Sequence, residues 1–135
     1  MTLIDTNVLL DLVTNDPSWA NWSIRQLEAA ALHGPLAINE IIYAELSIRY
    51  EKIEDLNAFI AKADLQFTTV PQTALFLAGK AFRAYRSAGG VKNGVMPDFF
   101  IGAHAAIDGI ELLTRDPGRY RTYFPTVRLI TPTND

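Results

Sequence analysis

The feature that most constrains this chain is a series of short apolar segments, each separated from the next by a stretch of helical character. Thr2-Leu3-Ile4, Leu36-Ala37-Ile38, Phe67 to Val70, Leu112-Leu113-Thr114 and Val127 to Ile130 read as buried strands. Between them lie candidate helices at Thr6 to Val13, Pro17 to His33, Glu40 to about Tyr50, Ile53 to Ala63, Gln72 to Ala88 and Asp98 to Ile107, with a short turn at Gly118 to Tyr123. Strands that alternate with helices need crossover connections, which make the strands parallel and place helices on both faces. The predicted fold is therefore α/β: one domain over residues 1–135, three layers, with a mainly parallel central sheet of about five strands.

Local signals sharpen these boundaries. Asp16 can cap the second helix, with Pro17 at its first position and Gly34 beyond its end. Asn39 can cap the third. Leu75, Ala78, Phe82 and Tyr85 fall on one helical face, and Gly89-Gly90 ends that helix. Val91 to Met96 reads as a loop. Asp98 to Ile107 is apolar nearly all round, as a buried helix is.

A chain of 135 residues with 49% hydrophobic content can bury one core without cross-links. The absence of cysteine excludes disulfides, thiolate metal sites and a cysteine nucleophile. No basic region precedes an apolar run at the start, and no stretch approaches the roughly 18 apolar residues of a membrane span, so a soluble, cytoplasmic protein is expected. The net charge of −3 is unevenly spread: residues 1–79 carry 10 acids against 4 bases, residues 80–135 carry 5 acids against 8 bases. Acids that ligate divalent ions stop repelling phosphate, so this balance does not exclude a polyanionic substrate.

In open parallel sheets, ligands bind where strands end and helices begin. Asp5 and Asp116 each follow a predicted strand, and Asp98 opens the buried helix after Pro97. Each of the three is equally readable as a helix cap. Glu45 lies in mid-helix with Ile41 and Ile48 on its face. A charge on an apolar face requires a bound cation or a buried arginine, unless it sits at the edge of that face. Four carboxylates from distant segments suit a hard ion, Mg²⁺ or Mn²⁺, which takes oxygen ligands and keeps several waters. Such an ion lowers the pKa of water and offsets charge on a phosphoryl oxygen. Only two histidines and no cysteine argue against zinc. A phosphoacceptor enzyme is disfavoured, because Asp5-Thr6-Asn7 lacks the Asp-x-Asp-x-Thr pattern and no acidic pair follows the first strand. A non-catalytic binding module, its acids serving as caps, stays as the other reading.

The ordered set Leu3-Ile4-Asp5-Thr6-Asn7-Val8-Leu9, Tyr43-Ala44-Glu45-Leu46, Pro97-Asp98-Phe99-Phe100-Ile101-Gly102-Ala103-His104-Ala105 and Leu112-Leu113-Thr114-Arg115-Asp116-Pro117 resembles the PIN-domain ribonucleases, and among them the VapC-type toxins of toxin–antitoxin pairs. The resemblance spans essentially the whole chain. It implies a magnesium-dependent endoribonuclease whose metal pocket is Asp5, Glu45, Asp98 and Asp116, with Thr6, Asn7 and Thr114 as polar supports. RNA as substrate, an antitoxin partner and a homodimer are implied by the resemblance alone.

Several other residues have two readings. Arg115, Arg119 and Arg121, interleaved with Tyr120 and Tyr123, could clamp single-stranded RNA or form ion pairs near the sheet edge. Lys92 could reach a scissile phosphate or simply be solvated. Lys80, Arg83 and Arg86 recur at helical spacing and are expected on a solvated face. His104 is expected to be a satisfied core histidine, Glu40 a first-turn acid, and Trp19 and Trp22 packing or dimer contacts.

Overall fold

The computed structural model describes residues 1–132. Its elements are β1 (Thr2–Ile4), α1 (Thr6–Val13), α2 (Ala20–Ala31), β2 (Leu36–Ile38), α3 (Glu40–Ser47), α4 (Ile53–Lys62), β3 (Leu65–Phe67), α5 (Gln72–Ser87), α6 (Pro97–Asp108), β4 (Glu111–Leu113), α7 (Gly118–Tyr123) and β5 (Leu129–Ile130). The five strands form one sheet in the order β3-β2-β1-β4-β5, and every pairing is parallel. Successive strand residues point to opposite faces, and all three residues of both β1 and β2 are buried. Both faces are therefore covered, which is the three-layer α/β arrangement. None of the described helices is long and apolar enough to cross a membrane.

The strand order locates the site. The chain runs outward from β1 through β2 to β3, then returns to add β4 and β5 on the other side of β1. Connections leaving β1 and β4 diverge, and this opens a crevice beyond their carboxyl ends. Asp5 follows β1 directly and Asp116 lies three residues beyond β4, so both come to that crevice.

Several boundaries differ from the sequence expectation, among them the fourth strand, which is Glu111–Leu113 rather than Leu112 to Thr114. The third strand is Leu65–Phe67 rather than Phe67 to Val70, because Asp64 takes a left-handed conformation (φ 54°) and turns the chain from α4 straight into the strand. The β-branched Thr68-Thr69-Val70 lead away from it. The Asp16 carboxylate accepts from the backbone N–H of Ser18 and Trp19, at 2.8 and 2.9 Å. That arrangement caps a turn, so the helix proper starts at Ala20 rather than Pro17. Helix α3 stops at Ser47, after which Ile48, Arg49 and Tyr50 make tighter bonds to carbonyls three residues back. The last strand is confined to Leu129–Ile130.

Helix α6 is bounded as its sequence suggests. Pro97 occupies its first turn, and Gly109 closes it in the left-handed region (φ 64°). Its Phe99, Ile101, Gly102, Ala103, His104 and Ala105 are all buried.

Candidate functional site

Asp5, Glu45, Asp98 and Asp116 line one cavity of about 450 Å³, together with Thr6, Asn7, Lys92, Arg119 and Tyr120. The four acids come from the end of β1, the middle of α3, the first turn of α6 and the loop after β4. Three predicted alternatives now separate. Asp5 is indeed an N-cap: its Oδ1 accepts from Thr6 N–H at 2.7 Å. Asp98 is not, since Met96 holds the N-cap position of α6. Asp116 is not either, since Pro117 precedes α7 and its carboxylate makes no capping bond. Asp116 is exposed.

Asp5 is the most constrained member, with 6% exposure. Its Oδ2 accepts from Thr114 Oγ1 at 2.8 Å, from the Tyr120 hydroxyl at 2.8 Å and from Asn7 Nδ2 at 3.4 Å. Asn7 is itself oriented, because its Oδ1 accepts from Arg115 N–H at 3.1 Å and leaves its amide nitrogen facing Asp5. Thr114 Oγ1 accepts from Asp116 N–H at 3.1 Å, which ties the fourth acid to the first. Thr6, Asn7 and Thr114 are thus all hydrogen-bonded to Asp5, and Thr6 to Glu45 as well. Burial pushes the Asp5 carboxyl up to about 6; the hydrogen bonds oppose this and the nearby Glu45 adds to it.

Glu45 is half-buried, and its Oε1 accepts from Thr6 Oγ1 at 2.6 Å. Burial raises its pKa, the Thr6 bond offsets part of this, and Asp98 adds repulsion. Its face of α3 is not buried throughout: Ile48, expected beside it, is 82% exposed. Among the described residues no arginine pairs with Glu45.

The basic residues part company. Arg115 forms a two-pronged ion pair with Asp11, at 2.7 and 2.8 Å, and lies over the Trp19 ring. Of its two readings, the ion pair is the one formed here, and Arg115 does not line the cavity. Arg121 is exposed and also stands off the cavity. Lys92 and Arg119 both line it, and Arg119 Nη1 donates to Asp98 Oδ2 at 2.7 Å. Arg86 reaches the carbonyl oxygen of Lys92 at 2.6 Å and so holds the loop, whereas Lys80 and Arg83 are exposed as expected.

His104 is fully buried between two partners. Asn39 Oδ1 caps Ile42 N–H, so the Asn39 amide donates to His104 Nδ1 at 2.9 Å, and His104 Nε2 donates to Asp108 at 3.0 Å. It is a core histidine joining α3 to α6. Glu40 accepts from Val70 N–H at 2.8 Å. Trp19 and Trp22 pack edge to face, with centroids 5.8 Å apart.

Sequence reasoning missed Asp11 and the carboxylate partners of Tyr120 and Arg119. Tyr120, read beside the arginines as a ring that could stack on RNA, is buried and bonded to Asp5, and both burial and the Asp5 charge hold its hydroxyl protonated. Asp11 escaped notice although it is a buried acid bonded to Ser23 as well as Arg115; an acid on a helix bearing Val8, Leu9 and Leu12 was the available signal. Nothing local marked Arg119 as the partner of Asp98.

The donor set fits a hard divalent ion: carboxylates with hydroxyl oxygens beside them, and repulsion between acids that a cation would relieve. Among the described residues no three acids already converge on one point. They share a cavity rather than a finished cage, which suits an ion that retains waters.

Comparison with known proteins agrees with this architecture. The PIN domain model matches residues 2–125. No curated protein matches the chain. Among solved structures, VapBC2 from Rickettsia felis bound to a promoter DNA fragment gives a TM-score of 0.72 at 19% identity, covering 96% of this chain and 97% of that one. A toxin–antitoxin complex from Klebsiella pneumoniae gives 0.69 at 24% identity, covering both chains completely at 100%. FitAcB from Neisseria gonorrhoeae gives 0.65 at 18% identity, with 96% of each chain covered. At these identities the likeness establishes the fold.

Proposed function

This chain belongs to the PIN domain family, and on that premise we propose that it is a metal-dependent endoribonuclease, the VapC-type toxin of a toxin–antitoxin pair. The observation that carries the reading is the convergence of Asp5, Glu45, Asp98 and Asp116 on one cavity at the carboxyl ends of β1 and β4. These four would hold Mg²⁺, or Mn²⁺ in its place. A bound ion lowers the pKa of water and offsets charge on the phosphoryl and departing oxygens.

The side chains divide the remaining work. Tyr120, Thr114 and Thr6 hold Asp5 in one orientation, and Thr6 does the same for Glu45. His104 is enclosed by Asn39 and Asp108, so it supplies no base. A carboxylate of the quartet would help take the proton from the attacking water; Glu45 Oε2 is one such oxygen that no described side chain engages. Lys92 and Arg119 flank the acids and would receive the phosphate backbone.

RNA as the substrate, an antitoxin and a homodimer rest on the motif resemblance, with the fold likeness to VapBC and other toxin–antitoxin complexes in support. Exposed Leu32, Ile48 and Phe76 offer apolar surface that such assemblies would cover.

The test is cleavage of a mixed RNA pool by purified protein with Mg²⁺, with Mn²⁺ and with EDTA, beside Asp98→Asn. Metal-dependent cutting that the substitution abolishes is expected. RNA bound equally by both proteins, without cutting or metal dependence, would instead mean a non-catalytic PIN-like module.

A further inference from the structure

Asp98 is held by this chain's own cation. Arg119 Nη1 lies 2.7 Å from Asp98 Oδ2 and 3.5 Å from Met96 Sδ, and its guanidinium rests 5.3 Å from the Tyr85 ring centroid and 5.6 Å from that of Phe99. Among the described residues it is the one basic side chain in an ion pair with a cavity acid. We propose that Arg119 and a divalent cation exchange on Asp98: the guanidinium holds the carboxylate in the metal-free protein, the ion displaces it, and the released guanidinium binds the substrate phosphate. This rests on the metal-nuclease reading above and adds the order in which its charges are used.

Three features carry the exchange. The guanidinium engages Oδ2 at 2.7 Å, and an oxygen so engaged is less available to a cation. In the arrangement with Asp98 on Arg119, no three acids gather on one point among the described residues. Arg119 also has a place to go. The faces of Tyr85 and Phe99 hold a cation without needing a carboxylate, and Arg119 borders a second cavity of about 320 Å³ that shares Asp98 and Asp116 with the first. Its side chain is 34% exposed, and it makes a single contact to Asp98. Arg115 provides the contrast: it is bound through two nitrogens to an aspartate that is 2% exposed, and is not available to move. The planar guanidinium suits a phosphate once freed.

The exchange predicts opposite effects on the two ligands. Mn²⁺ binding measured by titration calorimetry should be about three- to fivefold tighter in Arg119→Gln than in wild type. At saturating Mn²⁺, the same variant should show a raised KM for RNA. Lys92→Gln removes a charge from the same cavity without freeing an acid, so it should gain clearly less Mn²⁺ affinity. Arg119→Lys, which keeps the charge but not the planar fork, should fall between Arg119→Gln and wild type and serves if Arg119→Gln does not fold. Equal Mn²⁺ affinity in wild type and Arg119→Gln, or an equal gain in Lys92→Gln, would overturn the exchange while leaving the metal site in place. No saturable Mn²⁺ binding by any of these proteins would overturn the metal reading beneath it as well.

Discussion

Tyr120 and Asp5 are joined across 115 residues of sequence by a 2.8 Å hydrogen bond from the phenol to Oδ2, and the tyrosine is only 2% exposed. The first acid of the cavity is thus held by the helix that follows the last one. Tyr120→Phe keeps the ring and removes the donor. Thr114 and Asn7 still donate to Oδ2, so no acceptor is orphaned, and the loss should be about 1–2 kcal/mol at pH 7.5. Urea unfolding of the metal-free protein checks this. The Asp5 carboxyl should move further up, and its titration, followed by carboxyl NMR, should report that.

The pH dependence of the metal-free protein follows from the same carboxyl. Asp5 stands at about 6 when folded against 3.8 as its ordinary value. A raised carboxyl favours the folded state in its protonated form. Its stabilisation is therefore fully present below about 3.8 and is lost as pH rises through about 6. The difference is on the order of 3 kcal/mol at neutral pH. Glu45 shifts in the same direction. In EDTA, the protein should melt at higher temperature at pH 5 than at pH 7.5, and Asp5→Asn should flatten that difference. A melting temperature that falls between pH 7.5 and pH 5 equally in both proteins would contradict the assignment.

Gly102 shows packing overriding helix propensity. In an exposed helix Gly→Ala gains about 1 kcal/mol. Here an added Cβ would overlap the Phe124 ring, 2.7 Å from its Cε2, and reach within 3.0 Å of Tyr120 Cδ1. Gly102→Ala should therefore destabilise by about 1–3 kcal/mol, as overpacked cores do. Because the clash falls partly on Tyr120, it should also weaken divalent-ion binding, which calorimetry would detect.

Asp11 is 2% exposed and receives Arg115 and Ser23. Removing one partner of a fully buried ion pair costs about 3–5 kcal/mol. The Arg115 side chain is 27% exposed and can rehydrate, so Asp11→Ala should cost less, about 2–3 kcal/mol. Chemical denaturation tests the size of the loss. A change under about 0.5 kcal/mol, the range of an ordinary surface substitution, would mean the pair is not formed in solution.

Much of this molecule was legible locally. Alternation of apolar triplets with helical segments specified the parallel sheet, since a strand buried on both faces reads as an unbroken apolar run. Asn39, Pro97, Asp5, Asp98 and Asp116 stood out because caps and strand-to-helix junctions depend on residues a few positions apart, and Glu45 because it is a mid-helix charge beside Ile41 and Ile48. The placement of the acids at one sheet end followed from the same topology. Where local rules competed, the sequence could not decide. Thr68-Thr69-Val70 has strand propensity, but Leu36 pairs with Leu65 and Ile38 with Phe67, and that register, set by the turn at Asp64, ended the strand earlier.

Only the tertiary structure chose the partners of the charged groups. Arg115 and Arg119 are four residues apart and alike in sequence. One was bound by Asp11, 104 residues away, and the other by Asp98, 21 residues away. The same holds for Tyr120, which the sequence grouped with the neighbouring arginines and folding carried to Asp5. Periodicity reports which face of an element is buried; it carries no information about which distant side chain will meet it there, because that depends on strand order and helix packing over the whole chain.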